Sequence, residues 1–314
     1  MPFPLNNLSE KIKAKAFELD LDLCGIAHAG KLAERAEVLK KWTEAGMHDR
    51  MGYLSRNIEK RADPRELFPG TKSLVVVGQS YYSEIKQKDP YAPILSRYVY
   101  GIDYHKSISE KLERLLHFIR QEAPGCEGSI YVDSGPLMEK GWAQEAGLGW
   151  QGKHSIVINS KIGSFFFIGI LLLNIDLEYD KPAVNNYCGE CRLCIDACPT
   201  AAINENKTVD ARKCIANLTI ENRGPMPENI IPKLGGRVYG CDRCQEVCPW
   251  NSKARPDRHP EFQLDPAIAD MTREDWINLT ADKHKILFGE SAMKRAKFPD
   301  LKRNIEAAIR SMGK

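Results

Sequence analysis

A chain of 314 residues, 43% hydrophobic and 28% charged, has room for about two packed domains and excludes the disordered and fibrous classes. A formal net charge of +3 neither requires nor excludes a polyanionic partner. The N-terminus shows no secretory or twin-arginine signal, and the longest apolar run, Phe165 to Leu173, is too short for a bilayer, so no membrane partner is expected.

In chain order, residues 8–20 mix apolar and charged positions in a helical manner, with Ser9 as a candidate cap. A second helix is expected over 31–46, ended by Gly46, followed by a cationic connection carrying Arg56, Lys60, Arg61 and Arg65. The β-branched run at 73–81 predicts a buried strand. Over 107–121, Ile108, Leu112, Leu115, Leu116 and Ile119 recur at helical spacing. A short strand at 130–132 delivers Asp133 and Ser134, and 138–146 reads as a helix. Two strands, 154–159 and 164–174, meet at a turn containing Gly163. Strands and helices alternate without a regular βαβ repeat, which makes the first part an α+β domain.

After Tyr179 the composition changes. Cys188, Cys191, Cys194 and Cys198, with a proline following, form the C-x2-C-x2-C-x3-C-P run of bacterial ferredoxins. Cys241, Cys244 and Cys248 form an answering run, again followed by proline, and Cys214 lies between. Three ligands from one run plus one crossed ligand place Cys188, Cys191, Cys194 and Cys248 on one [4Fe–4S] cluster. Cys198, Cys214, Cys241 and Cys244 then hold the other. Structural zinc is the competing reading, but it does not require the paired CP runs. Reduced thiols and cluster ligands suit a cytoplasmic location. The expected division is a catalytic domain over 1–180, a two-cluster domain over 181–255 and a basic tail over 256–314 that packs on the core.

Several other features are weaker. Gly147, Gly149 and Gly152 spell G-x-G-x-x-G, but a helix precedes them and a strand follows, the reverse of a dinucleotide site. They suit a tight turn or a close approach of backbone to a large cofactor. Asp103 and His105 begin a D-x-H-x-x-G cobalamin motif, but Ile108 stands where it needs glycine, leaving His105 a surface or hydrogen-bonding role. Asp133, at the exit of a buried strand, suits a proton donor, although on local sequence an Asx-turn or helix cap formed by Asp133-Ser134-Gly135 is the favoured reading. Glu139 and Lys140 read as a surface pair. Lys153, His154, Ser155 and Ser164 form a polar edge that could hold a cofactor or face water. Cys24 and Cys126 lack cluster spacing and read as ordinary thiols. Lys294, Arg295, Lys297, Lys302, Arg303 and Arg310 in the tail could meet RNA phosphates or solvent.

The segment YVDSGPLMEKGWAQEAGLGWQGKHSIVINSKIGSFFFIGILL, followed by the cysteine runs and YGCDRCQEVCPWN, closely resembles the epoxyqueuosine reductase family. The likeness extends from EKRADPR near residue 60 to the SAMKRAKFPDLKRN tail. It implies a nitroreductase-like cobalamin-binding domain followed by a bacterial ferredoxin-like domain with two [4Fe–4S] clusters. The implied reaction reduces epoxyqueuosine to queuosine at the wobble position of tRNA anticodons, with the corrinoid bound base-off. The family's proton-donating aspartate falls on Asp133, and Arg61, Lys153, His154, Ser155 and Ser164 fall on segments around the corrinoid. Expected partners are the tRNA anticodon stem-loop and an external one-electron donor of ferredoxin or flavodoxin type, with the protein a monomer. Longer members carry a C-terminal helical-repeat extension; a form without it is expected here. The alternatives are a corrinoid iron–sulfur reductive dehalogenase and a non-catalytic electron carrier.

Overall fold

The computed structural model describes residues 5–256 and 258–313. Its centre is a four-stranded antiparallel sheet of β1 (Leu23–His28), β2 (Ser73–Ser80), β3 (Gly128–Tyr131) and β4 (Phe166–Leu173), in the order β1-β2-β4-β3. All eight residues of β2 are buried. The strand period of two sends Val75 and Val77 to one face and Leu74 and Val76 to the other, and both faces are covered. Its middle, Leu74 to Val77, is therefore an uninterrupted apolar run in the sequence, between buried polar ends whose Ser73 and Gln79 side chains are hydrogen-bonded.

On one face lie α1 (Leu5–Glu18) and α3 (Tyr104–Glu122), with α2 (Ala33–Glu44) between them in sequence. The predicted stripe of α3, Ile108, Leu112, Leu115, Leu116 and Ile119, is buried as a unit. The opposite face is covered by α4 (Glu139–Glu145), whose Trp142 and Ala143 pack against Leu74, Val76 and Ile170. Ser9 is not a cap: it lies inside α1, and its hydroxyl accepts from the Glu178 N–H at 2.8 Å.

The stretch 154–159 is not one strand. Only Val157–Ile158 is extended, pairing with Trp150–Gln151, while His154 and Ser155 turn the chain between them, Ser155 at φ +65°. Gly149 serves this hairpin rather than a ligand, since a Cβ there would sit 2.1 Å from the Ile158 carbonyl oxygen.

The tail joins the core. Phe262, Leu264, Ile268, Trp276, Phe288, Leu301 and Ile305 share one apolar cluster with α1, α3 and the sheet. Its last helix, α5 (Phe298–Met312), buries Leu301, Asn304, Ile305 and Ala308 on one face. The tail's cations are largely engaged within the chain. Lys294 pairs with Asp103 at 2.6 Å, Arg295 with Glu221 at 2.6 Å and Arg310 with Glu228 at 2.7 Å, while Arg303 donates to the Asn222 and Gly224 carbonyls. Among the described residues no helix is long and apolar enough to cross a membrane.

Candidate functional site

The seven cysteines of the two runs and Cys214 fall into two quartets. Cys188, Cys191, Cys194 and Cys248 line one cavity together with Lys153, His154, Tyr187, Leu193 and Trp250. Burial raises the Cys194 thiol pKa, and its neighbours Cys188, Cys248 and Cys191 raise it further. Burial likewise pushes Cys241 up to about 11, with Cys214 adding to the shift. Cys244 is raised by burial and then by Cys241 and Cys214. Burial also raises Cys214, which has Cys198 beside it and the amides of Asn217 and Ala216 directed at its sulfur. Cys248 therefore sits with the first run and Cys214 with the second. Short helices, Leu193–Asp196 and Arg243–Glu246, carry the two runs past each other. Among the described residues no three His, Cys, Asp or Glu side chains converge as they would on a single metal ion. The Cys188 quartet instead surrounds a space, a donor set and shape that fit a cube of iron and sulfide.

Across the sheet, β3 ends at Tyr131 and the chain turns through Asp133 at φ +50°, a conformation costly for a residue other than glycine. Its neighbours hold the turn. Asp133 N–H donates to Glu139 Oε1 at 2.6 Å, and Val132 N–H donates to the Ser134 hydroxyl at 3.3 Å. The Asp133 side chain does not cap this turn. It is exposed, and its Oδ2 accepts from the Tyr104 hydroxyl at 2.9 Å. Tyr104 opens α3 and lies stacked on Phe167 of β4, ring centroids 4.1 Å apart and planes 5° from parallel.

Glu139 is not half of a surface pair. Burial lifts its carboxyl to about 8, and the charge of Asp133 adds to the lift. Lys140, its expected partner, is exposed. Tyr53 and Arg295 complete the surroundings: burial raises the Tyr53 hydroxyl, with Glu221 and Asp133 adding to it, and the Arg295–Glu221 pair lies close by. Glu221 ends the helix that begins after Cys214, so one helix links the second quartet to the Asp133 surroundings.

The expected cofactor-holding residues are dispersed. Arg61 donates to the Tyr53 carbonyl at 3.0 Å and lies over the Tyr53 ring, on the Asp133 side. His154 is 3% exposed, and burial pushes its imidazole down to about 4, so it is neutral. Its Nδ1 accepts from the Ile156 N–H at 3.2 Å, which puts the ring proton on Nε2, and that buried atom has no protein partner. With Lys153 it lines the Cys188 cavity. Ser155 accepts from the Gln151 amide at 3.1 Å. Ser164 is 1% exposed, its hydroxyl bonds Gln245 at 2.9 Å, and its N–H donates to Asn251 Oδ1 at 2.6 Å. With both groups engaged, Ser164 fastens the sheet to the second cysteine run instead of offering a free donor to a ligand.

His105 bonds Asp103 at 2.6 Å and stacks on Tyr104, while Ile108 is a fully buried core residue. The partial cobalamin motif is thus a helix N-terminus. Tyr104 and Tyr53 escaped the sequence reading, and Glu139 was read only as half of a surface pair, because nothing in their spacing ties them to Asp133.

Residues 61–134 match the family model described as epoxyqueuosine reductase QueG, DUF1730, and residues 187–251 match the 4Fe-4S double cluster binding domain. The second region of the chain is therefore an iron–sulfur domain. An epoxyqueuosine reductase of Cellulophaga algicola is 43% identical over 298 residues, covering 95% of this chain and 97% of the relative. That of Escherichia coli is 41% identical over 266 residues, covering 83% of this chain and 70% of the relative. The crystal structure of an epoxyqueuosine reductase with an epoxyqueuosine-modified tRNA-Tyr stem loop superposes with a TM-score of 0.91 at 29% identity, covering 98% of this chain and 82% of that one. A catabolic reductive dehalogenase shares the fold alone, at 16% identity and a TM-score of 0.51 over 80% of this chain and 33% of that one. The α+β chain with its double-cluster domain belongs to the epoxyqueuosine reductase family.

Proposed function

We propose that this protein reduces epoxyqueuosine to queuosine at the wobble position of tRNA, with Asp133 as the proton donor. The observation that carries this is the presentation of Asp133: exposed, in a left-handed turn held by Glu139, its carboxylate oriented by Tyr104, in a chain that also assembles two cysteine quartets. Removing the epoxide oxygen as water consumes two electrons and two protons and leaves an alkene. Two one-electron clusters meet the first need, and a carboxylic acid placed at the reacting oxygen meets the second.

Cys188, Cys191, Cys194 and Cys248 hold one cluster, and Cys198, Cys214, Cys241 and Cys244 the other. The family also implies a base-off cobalamin. Arg61, held at Tyr53, and Lys153 and His154, whose buried Nε2–H has no protein partner, with Ser155 next to them in the chain, would hold its amide and phosphate periphery. A bound corrinoid supplies a low-valent cobalt centre that delivers the reducing equivalents. The lack of a cobalt-ligating motif at Asp103–Ile108, where the chain forms a capped helix, supports the base-off state.

The protein's own residues do the rest. Asp133 protonates the opening oxygen. Tyr104 keeps the carboxyl aimed, and the docked base shuts out bulk water. The base must leave the anticodon stack to reach Asp133, as single-stranded recognition permits. The protein works as a cytoplasmic monomer fed by an external one-electron donor of ferredoxin or flavodoxin type, and its organisation follows the 1–180, 181–255 and 256–314 division.

The test is incubation of cluster- and cobalamin-loaded protein with reductant and epoxyqueuosine-containing tRNA, followed by nucleoside mass spectrometry. Conversion to queuosine is expected. Persistence of the epoxide under full loading would overturn the reading.

A further inference from the structure

The cations of the tail are largely spent inside the chain, on Asp103, Glu221, Glu228 and backbone carbonyls. A second group of cations is free. Arg50, Arg56 and Lys60 are exposed, and among the described residues none of the three has an ion-pair partner. Glu59 is the one acid between Arg50 and Arg61, and Lys31 already holds it. In the middle of this loop the Tyr53 ring is 39% exposed.

The loop is a built surface. Its start is fastened to the iron–sulfur domain: Asp49 Oδ2 accepts from the Asn217 amide at 2.7 Å, and the Met47 carbonyl accepts from the Ala211 N–H at 2.9 Å. Its other end is folded by Arg61, which donates to the Tyr53 carbonyl at 3.0 Å and to the Arg56 carbonyl at 3.3 Å. The Arg61 guanidinium also lies 6.0 Å from the centre of the Tyr53 ring, at the limit of a cation–π contact. A chain of contacts joins the loop to the acid. The Glu221 N–H donates to the Asn217 carbonyl at 2.8 Å, and the Glu221 carboxylate binds Arg295. The neighbouring Lys294 binds Asp103, next to the Tyr104 that meets Asp133. Tyr53 is close enough to Asp133 for that charge to add to the raising of its hydroxyl by burial.

We propose that the segment from Arg50 to Lys60 is the seat of the anticodon loop, with Arg50, Arg56 and Lys60 on its phosphates and Tyr53 stacked on an unpaired base next to the wobble position. This rests on the reading of Asp133 as the acid acting at that position. A nucleotide drawn out toward Asp133 leaves its neighbours unstacked, and an exposed aromatic ring replaces the lost stacking. Single-stranded RNA is the polyanion that uses both parts of the surface. Cations track its backbone, and aromatic rings take the open base faces that a duplex hides. The hydrogen bonds of Asp49 and Arg61 hold the loop before the RNA arrives, so binding costs little ordering of its backbone.

The test is binding, read separately from turnover. The cluster- and cobalamin-loaded protein is titrated with a fluorescent anticodon stem-loop carrying guanosine at the wobble position, and with an RNA duplex of the same length, over a range of salt. Each phosphate contact to a single strand contributes about 0.7 to the slope of log affinity against log salt, so Arg50→Gln/Arg56→Gln/Lys60→Gln should flatten the stem-loop slope by about 2. Tyr53→Ala should weaken stem-loop binding by about tenfold, with the salt slope and the duplex affinity unchanged, and Tyr53→Phe should restore it. Arg310→Gln, which removes a cation already paired with Glu228, should bind like the wild type. An unchanged slope in the triple variant, or equal weakening of stem-loop and duplex by Tyr53→Ala, would overturn the proposal. If loaded wild-type protein leaves the epoxide intact while these binding changes are seen, the reaction falls and the RNA surface is supported.

Discussion

The Tyr104 hydroxyl donates to Asp133 Oδ2 at 2.9 Å across 29 residues of sequence, joining the first residue of α3 to the turn after β3. Burial raises the Tyr104 pKa first, and the Asp133 charge raises it further, so the phenol stays protonated and keeps the proton it donates to Asp133 Oδ2. Tyr104→Phe retains the ring that stacks on Phe167 and removes the donor. A hydrogen bond to a charged group contributes about 1.5–3 kcal/mol, so kcat should fall on the order of tenfold or more with little change in melting temperature. A steady-state assay with epoxyqueuosine tRNA beside a thermal melt checks both halves.

Asp133→Asn should cost about 10²–10⁴ in kcat, the range for loss of a general acid, while both clusters and tRNA affinity persist. The amide still receives the Tyr104 hydroxyl but has no proton to give. Near-normal turnover in this variant would remove Asp133 from the acid role.

The quartets predict an asymmetric response to cysteine loss. Cys214→Ala should spare the cluster of Cys188, Cys191, Cys194 and Cys248, and Cys191→Ala the other. Each variant should hold about half of the wild-type iron, with distinct electron paramagnetic resonance spectra. Cys24→Ala should hold all of it, since that thiol is pushed up to about 12 by burial and sits away from both quartets. Indistinguishable spectra for the Cys214 and Cys191 variants would break the assignment.

The start of the tail is clasped to the sheet by His259. The imidazole is buried between Asp22, at 2.7 Å from Nε2, and Asp20, at 3.0 Å from Nδ1, and Arg258 bonds Asp22 at 2.7 Å. Burial opposes the Asp22 charge, but His259, the Ser80 N–H and Arg258 outweigh it and hold the carboxyl below its usual range. A carboxylate depressed in the folded state contributes stability that is present above its unfolded pKa and lost as pH falls through the folded one. Acid should therefore loosen the clasp below the normal carboxylate range. His259→Ala should destabilise the protein by about 1.5–3 kcal/mol at neutral pH, the cost of losing one hydrogen bond to a buried carboxylate that keeps Arg258 and the Ser80 N–H. Denaturant titration of the two proteins at pH 7 and pH 4 measures both effects.

The cysteine runs were legible because cluster ligation depends on spacing within a few residues, and so was β2, whose two covered faces demand a continuous apolar run. The α3 stripe was legible for the same local reason. Which residues of the tail join the core was not legible, because its apolar residues are spread over short helices with no sustained period. Their common burial becomes visible only once α1 and α3 are in place. Ser164 shows the same limit: a serine beside an apolar strand looks available until Gln245 and Asn251, from a distant part of the chain, use it up.

Sequence alone determined the family, the two cysteine sets and Asp133 as the candidate acid, because each is written in contiguous residues or short spacings. Tertiary structure decided what Asp133 can do. Its hydroxyl donor arrives from α3, its backbone is held by the Glu139 carboxyl, and the second quartet is linked to it by a helix ending at Glu221. Those relationships arise from chain segments brought together by burial of the sheet's two faces, and burial also sets the Glu139 proton affinity that no local pattern encodes.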